Sequence, residues 1–389
     1  MEKSFEFFNK KSIFISLIIG KVILLPIIYF LFNFFDERTN ALFLLPDIIK
    51  YEDSEKILNL FNFGSLVPNV GYMSLLYLVK KLTFIHSLKL FINSLISLIF
   101  ISFSQTLILD LVFKENKFAS NKLKFTALLL SISNFYILIY SFKPSSDVFG
   151  CFGISILMLA LVRAQKINFN KNYTYFLNWT FIFLITCLFR NNLILILPFI
   201  LFTKIKKILI KSIFSFDNKK RFFILLAITA LLVINIFQFA SAFLPYIYQQ
   251  QHWGLITISN ELNSLSSFSF IKDILIFISS KFIFLLSARE AVGMSGDWLI
   301  NSQEDIIFTS NPIFTNILPS IILFIINMLG LISIFKFFSK EFRNSFLFSL
   351  IPLIPILSFA AHHRYFLPYS LITTASLPFL FQTNLFENK

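Results

Sequence analysis

The chain has 389 residues, 57% of them hydrophobic and only 14% charged, with a formal net charge of +14. A soluble domain carries roughly 25% charged residues, so a water-soluble globular fold is excluded. The basic residues cluster in short loops between apolar runs, which makes the charge a mark of membrane topology rather than of nucleic-acid binding.

The first apolar run, Ser12–Phe35, is too long for a signal-peptide core and lacks a small-residue cleavage site, so it reads as a retained first helix. Further spans are predicted at Leu88–Phe113, Phe125–Phe142, Asp147–Val162, Tyr175–Phe189, Asn191–Phe202, Phe222–Leu244, Pro312–Phe337, Phe346–Ala361 and Tyr365–Phe381. That makes about ten crossings of a hydrocarbon layer roughly 30 Å thick. The expected fold is all-α: one polytopic transmembrane helical bundle over residues 1–389, with amphipathic helices on its outer face, no appended soluble domain and no internal repeat. Phe occurs 55 times; with abundant Ile, Leu, Lys and Asn it follows AT-rich codons, and single Phe residues carry no functional weight.

The charges orient the bundle. Lys3, Lys10 and Lys11 precede the first helix; Lys114–Lys124, Arg163–Lys171, Lys204–Arg221 and Lys336–Arg343 enclose the other basic loops. All fall on one side, which places both termini in the cytoplasm of a cell with this protein in its plasma membrane, the inner membrane of a bacterium. This parity requires that Tyr175–Phe202 break at Arg190-Asn191-Asn192, giving two short halves with a polar tip. Ile271–Ser287 is apolar but carries Lys272, Asp273 and Lys281, and is expected to lie amphipathically at the outer surface. The outer face then holds two large loops, 36–83 and 245–311.

Candidate chemistry gathers on that face. Asp36 and Glu37 follow the first helix, where acids are ordinary on a non-cytoplasmic side but where a carboxylate can also take a proton from an attacking hydroxyl. Asp147, in Lys143-Pro144-Ser145-Ser146-Asp147, suits a helix N-terminus; an acid and a lysine at membrane depth also tend to face a cavity or a partner. Arg190 between two apolar runs is either a snorkelling cation or a guanidinium fork for phosphate. His362, His363, Arg364 and Tyr365, followed by Phe366-Leu367-Pro368, join two apolar helices and hold two of the four histidines. No metal-ligand spacing is present, and Cys151 and Cys187, both in apolar runs, suggest neither a disulfide nor a metal site. Outer carboxylates, outer cations and a membrane cavity between them suit a substrate with a lipid tail, a phosphate and a sugar.

The layout resembles the GT-C superfamily of polytopic glycosyltransferases, especially its protein O-mannosyltransferase and aminoarabinose-transferase-like group. The likeness rests on Asp36-Glu37 after the first helix; Pro46-Asp47 with Tyr51; Gly71-Tyr72 and Leu75-Leu76-Tyr77-Leu78, similar to the surface helix before the second span; and Ser146-Asp147 heading the fourth helix. Phe189-Arg190 is similar to that group's Thr-Arg-Pro turn, with Asn191 in place of proline, and Arg364-Tyr365-Phe366-Leu367-Pro368 to its Arg-Tyr-x-x-Pro. The chain is shorter than most members.

The resemblance implies an inverting transferase that uses a polyprenyl-phosphate or polyprenyl-diphosphate sugar and a lipid, glycan or protein acceptor. Asp36, Glu37 and Asp147 would be catalytic. Substrate contacts would come from Asp47, Lys143, Arg190, His362, His363, Arg364 and Tyr365. No metal site is assigned; Asp147 would help hold a divalent cation, Mg²⁺ or Mn²⁺, if one is used. Other readings stay open: a polysaccharide polymerase or ligase using lipid-linked sugars, a lipid or solute transporter, and a non-catalytic assembly subunit. A transporter would show polar residues at the midplane and repeat symmetry.

Overall fold

The structure, a computed structural model, describes residues 9–35, 69–83, 86–116, 119–143, 145–166, 173–200, 204–214, 216–239, 318–353 and 366–382. The described residues fold into helices and contain no strand. In chain order these are α1 (Lys10–Phe35), α2 (Val70–Leu82), α3 (His86–Glu115), α4 (Asn121–Ser133), α5 (Phe135–Phe142), α6 (Asp147–Lys166) and α7 (Tyr173–Phe189). A 3-10 segment, Asn191–Ile196, and one helical turn, Leu197–Ile200, lead to α8 (Lys204–Phe214) and α9 (Asn218–Phe239). Then come α10 (Leu318–Phe337), α11 (Lys340–Ser349), a short 3-10 turn (Ile351–Leu353), and α12 (Leu367–Ser376), which tightens to 3-10 over Leu377–Phe381.

Apolar surface points outward as well as inward. On α1, Ile13, Leu17 and Lys21 recur every four residues and are buried, while Ile19, Ile23, Ile27 and Phe30 are exposed. A water-soluble helix turns its apolar stripe only to the core; an exposed apolar stripe fits lipid. Among the described residues, stretches long and apolar enough to cross a membrane include Phe91–Glu115, Asp147–Ala164 and Asn218–Phe239. Burial separates their positions: most residues of Asp147–Ala164 are buried, and it forms the axis of the bundle, whereas few of Asn218–Phe239 are, and it lies on the rim. Helix α6 packs against α3, α7, α11 and α12. Helix α12 is buried along its whole length and packs on α10, where Gly330 lies directly against the Thr373 backbone carbonyl.

Among the described residues three spans differ from the sequence expectation. In Phe346–Ala361, α11 stops at Ser349 and a 3-10 turn, Ile351–Leu353, follows, with the remainder outside the described residues. Phe125–Phe142 is not one helix: α4 and α5 meet at a 53° bend. Asn134 causes it, because its side-chain oxygen accepts from the N–H groups of Tyr136 and Ile137 and so caps a new helix. Its amide also donates to Thr374 Oγ1 at 2.9 Å. The stretch from Asn191 runs as six 3-10 residues and a four-residue turn, a rise of about 18 Å that falls short of a hydrocarbon layer. The break at Arg190 is present, and the described part of the half that follows it is short, as expected of a hairpin that thins the membrane or re-enters it, and is 3-10 rather than α over its first six residues. The basic loops also hold helix: α8 and α11 begin inside clusters counted as loop, α11 because Ser339 caps it.

The two ends of the bundle are distinct. At one, Asp110 on α3 pairs with Lys10 of α1 at 3.4 Å and with Lys114 at 2.8 Å. Ser339, before α11, donates to Glu115 at 2.7 Å. The first turn of α6 lies elsewhere: Phe149 packs on Phe100 with ring centres 4.8 Å apart, a point on α3 about 22 Å before Glu115 at helical rise. Helix α9 links the levels. Gln238 accepts from the Val70 N–H at 3.0 Å and donates to the Cys187 carbonyl at 2.7 Å, and Asn235 donates to the Leu184 carbonyl at 3.1 Å. These bonds fasten the C-terminal end of α9 beside the end of α7. Its other end, with Lys219, Lys220 and Arg221, is then about 33 Å away along the axis.

Candidate functional site

The site forms where α7 stops. Arg190 leaves the helix in an extended conformation, while its N–H still donates to the Thr186 carbonyl at 3.0 Å. The next N–H, of Asn191, donates to the side chain of Asn69 at 2.9 Å. Asn69 sits at φ 55°, ψ 58° before α2, a left-handed conformation that asparagine tolerates better than most residues. Its amide therefore ties α2 to the break.

Arg190 turns its side chain onto the start of α6. Nη2 lies 2.7 Å from Asp147 Oδ1, with side chains only 7% and 2% exposed. Nη1 donates to Ser146 Oγ at 3.1 Å. Ser145 Oγ donates to Asp147 Oδ2 at 2.6 Å and accepts from the Asp147 N–H at 3.2 Å. Asp147 thus closes a local turn, opens α6 and neutralises the arginine. Charges buried this deeply persist only when paired and hydrogen-bonded.

Beside the pair is a small cavity of about 10 Å³ lined by Asp147, Arg190, Asn192, Tyr369, Pro368 and Pro352, among others. That is room for about one water molecule. The side-chain oxygen of Asn192 is buried there without a hydrogen-bond partner. Tyr369 closes the wall, with its hydroxyl donating to the Ser349 carbonyl at 2.6 Å. Asp147 uses one oxygen on Arg190 and the other on Ser145, so as it stands it is a poor donor for Mg²⁺ or Mn²⁺, and among the described residues no three His, Cys, Asp or Glu side chains group for a metal.

Of the sequence-derived site residues, Asp147 and Arg190 come into direct contact. Lys143 ends α5 and holds its ammonium 5.4 Å from the centre of the Tyr140 ring; it is not in the cavity lining. Asp36, Glu37, Asp47, His362, His363, Arg364 and Tyr365 lie outside the described residues, as do Ile271–Ser287 and most of the two outer loops. The string from His362 to Tyr365 belongs to the segment joining Leu353 to Phe366, and Leu353 and Pro368 both line the cavity.

Sequence reasoning missed Lys21. It is fully buried within α1 and donates to Ser102 Oγ of α3 at 3.1 Å. A lone lysine inside an otherwise apolar run was the available signal. Asn235 and Gln238, three residues apart in another apolar run, carried a similar one.

The described fold therefore defines an all-helical protein with several apolar helices able to cross a membrane. Compared with protein-family models, curated proteins and solved structures, the chain matches none.

Proposed function

We propose that the chain is a GT-C-type membrane glycosyltransferase with about ten spans, moving a sugar from a polyprenyl-phosphate or polyprenyl-diphosphate donor to an acceptor on the non-cytoplasmic face with inversion. One observation carries the reading. A buried arginine–carboxylate pair stands beside a cavity whose walls, Leu353 and Pro368, bracket in sequence the His362–Tyr365 string. In the reaction, Asp36 or Glu37 takes the proton of the acceptor hydroxyl. The acceptor oxygen bonds to the anomeric carbon as the bond from that carbon to the phosphate oxygen breaks, and the lipid phosphate leaves with the electron pair. Arg364, with Arg190, meets the charge that develops on the phosphate. Asp147 holds the plane of the Arg190 guanidinium, so its role is positioning.

The test is transfer from a panel of labelled polyprenyl-linked sugars by the purified full chain in vesicles. Wild-type protein should label one acceptor residue at a time, whereas a ladder of products marks a polymerase. Asp36→Asn and Glu37→Gln should together abolish transfer, since a general base contributes about 10²- to 10⁴-fold. Arg364→Lys should weaken donor binding without unfolding. Full turnover in all three variants would sink the assignment.

Lys21 favours a second reading. A cation buried within a span is the midplane feature expected of a transporter. Accumulation of labelled substrate in sealed vesicles with no bond formed would establish transport in place of transfer.

A further inference from the structure

The structure carries a second charged feature, at the opposite end of the bundle from Arg190 and independent of the transferase reading. Helix α8 packs on α7 and α6 through one side, with Leu209 against the core. Its other side is not polar throughout. Lys207, Ile210, Lys211 and Phe214 are exposed, Ile210 at 45% and Phe214 at 63%. Their spacing of i, i+3, i+4 and i+7 puts them on a single helical face, on which ammonium groups and large apolar groups alternate. Water alone accounts for the lysines and not for the exposed Phe214.

The surroundings identify what covers that face. Arg221 Nη2 donates to the carbonyls of Phe214 and Phe216 at 3.0 and 2.9 Å, and its guanidinium stacks on the Phe214 ring at 4.8 Å. The end of α8 is thereby fastened to the start of α9. Helix α9 is the rim helix, and Phe222 and Phe223 in its first turns are exposed at 62% and 65%. Phe214 is therefore tied to the start of the apolar run of α9, with exposed Lys219 and Lys220 in the chain between it and Phe222. Asp217 is the only acid from Lys204 to Arg221. A basic amphipathic helix seated at the rim of a span, with its apolar groups at headgroup depth, matches a membrane surface in both charge and polarity.

We propose that the exposed face of α8, with Lys219 and Lys220, docks on the anionic phospholipid headgroups of the leaflet around the chain. The lysines meet lipid phosphates while Ile210 and Phe214 enter the acyl boundary. This is a lipid-binding surface, separate from the Asp147–Arg190 cavity.

Binding of labelled phosphatidylglycerol to the detergent-solubilised full chain tests it. Unlabelled phosphatidylglycerol should compete; phosphatidylcholine and inorganic phosphate should not, and added salt should weaken binding. Lys207→Gln/Lys211→Gln should lower affinity by about fivefold per lysine, while Lys207→Arg/Lys211→Arg retains it. Phe214→Ser should weaken binding with its charge unchanged. Equal competition by phosphatidylcholine, or by inorganic phosphate, overturns the proposal on wild-type protein alone. Undiminished affinity in a folded Gln variant overturns it as well.

Discussion

Lys21 of α1 donates to Ser102 of α3 at 3.1 Å from Nζ to Oγ, and neither side chain reaches the surface. A charge at the centre of a membrane helix costs about 2.5–3.5 kcal/mol on insertion scales, and one hydrogen bond from a charged group returns about 1.5–3 kcal/mol, so at best the two cancel. Lys21→Met keeps the length of the side chain and removes the charge. The variant should melt at the same temperature as wild type or higher in detergent, and retain its elution profile. A drop of several degrees would show the amine to be a support of the fold.

Asp147 and Arg190 should behave as one unit. Removing either leaves a buried charge without its counter-charge, at about 3–5 kcal/mol. Asp147→Asn and Arg190→Met should each destabilise by that amount. The double variant should cost far less than the sum of the two, and a thermal double-mutant cycle measures the coupling. Additive losses would show that the 2.7 Å contact contributes nothing to the fold. Loss of transfer in Asp147→Asn alone therefore does not identify a catalytic acid.

Asn134→Ala should destabilise by about 1 kcal/mol, the typical cost of a lost cap. Ser120→Ala removes a longer bond, 3.4 Å to the Leu123 N–H at an exposed helix start, and should cost less. Unfolding temperatures of the two variants check the order. A silent Asn134→Ala would mean that the bend is held by packing.

The elbow between α8 and α9 should loosen in acid. Asp217 accepts from the Lys220 N–H at 2.8 Å, and that bond, with the nearby Lys220 ammonium, holds its carboxyl below the ordinary Asp range. A depressed carboxyl contributes stability that is complete above the unfolded value of about 3.9 and is lost as pH falls through the folded value. Hydrogen exchange at the start of α9 should rise below about pH 4 in wild type and show no such step in Asp217→Asn. The same step in both proteins would assign it to another group.

Most helices were legible as apolar runs in the sequence, because hydrophobic length is a local property. The break at Arg190-Asn191-Asn192 was legible for a less local reason: without it the Lys204–Arg221 cluster would fall on the wrong side of the membrane. Asn134 did not mark one. A single asparagine in Phe125–Phe142 is tolerable in a continuous span, and only its two N–H partners and Thr374 reveal a cap. Asp147 and Arg190 stood out as isolated charges, but their pairing spans more than forty residues and depends on how α6 and α7 pack. Lys21 was visible and unread, since its partner Ser102 is neutral and leaves no charge pattern.

Helix α9 has Asn235 and Gln238 buried and hydrogen-bonded to α7 near its C-terminal end; Ile224, Ile228, Leu231 and Leu232 are half-buried, and most of the remaining side chains are exposed. Its sequence is under unequal demand as a result. At the exposed positions of Phe222–Val233 any apolar residue of good helix propensity should serve, because lipid asks for no shape complementarity. At Asn235 and Gln238 the carbonyls of Leu184 and Cys187 need donors at fixed positions. A saturation library across the helix should therefore survive selection most freely at the exposed positions, narrow to fitting apolar residues at half-buried Ile224, Ile228, Leu231 and Leu232, and collapse to two letters at Asn235 and Gln238.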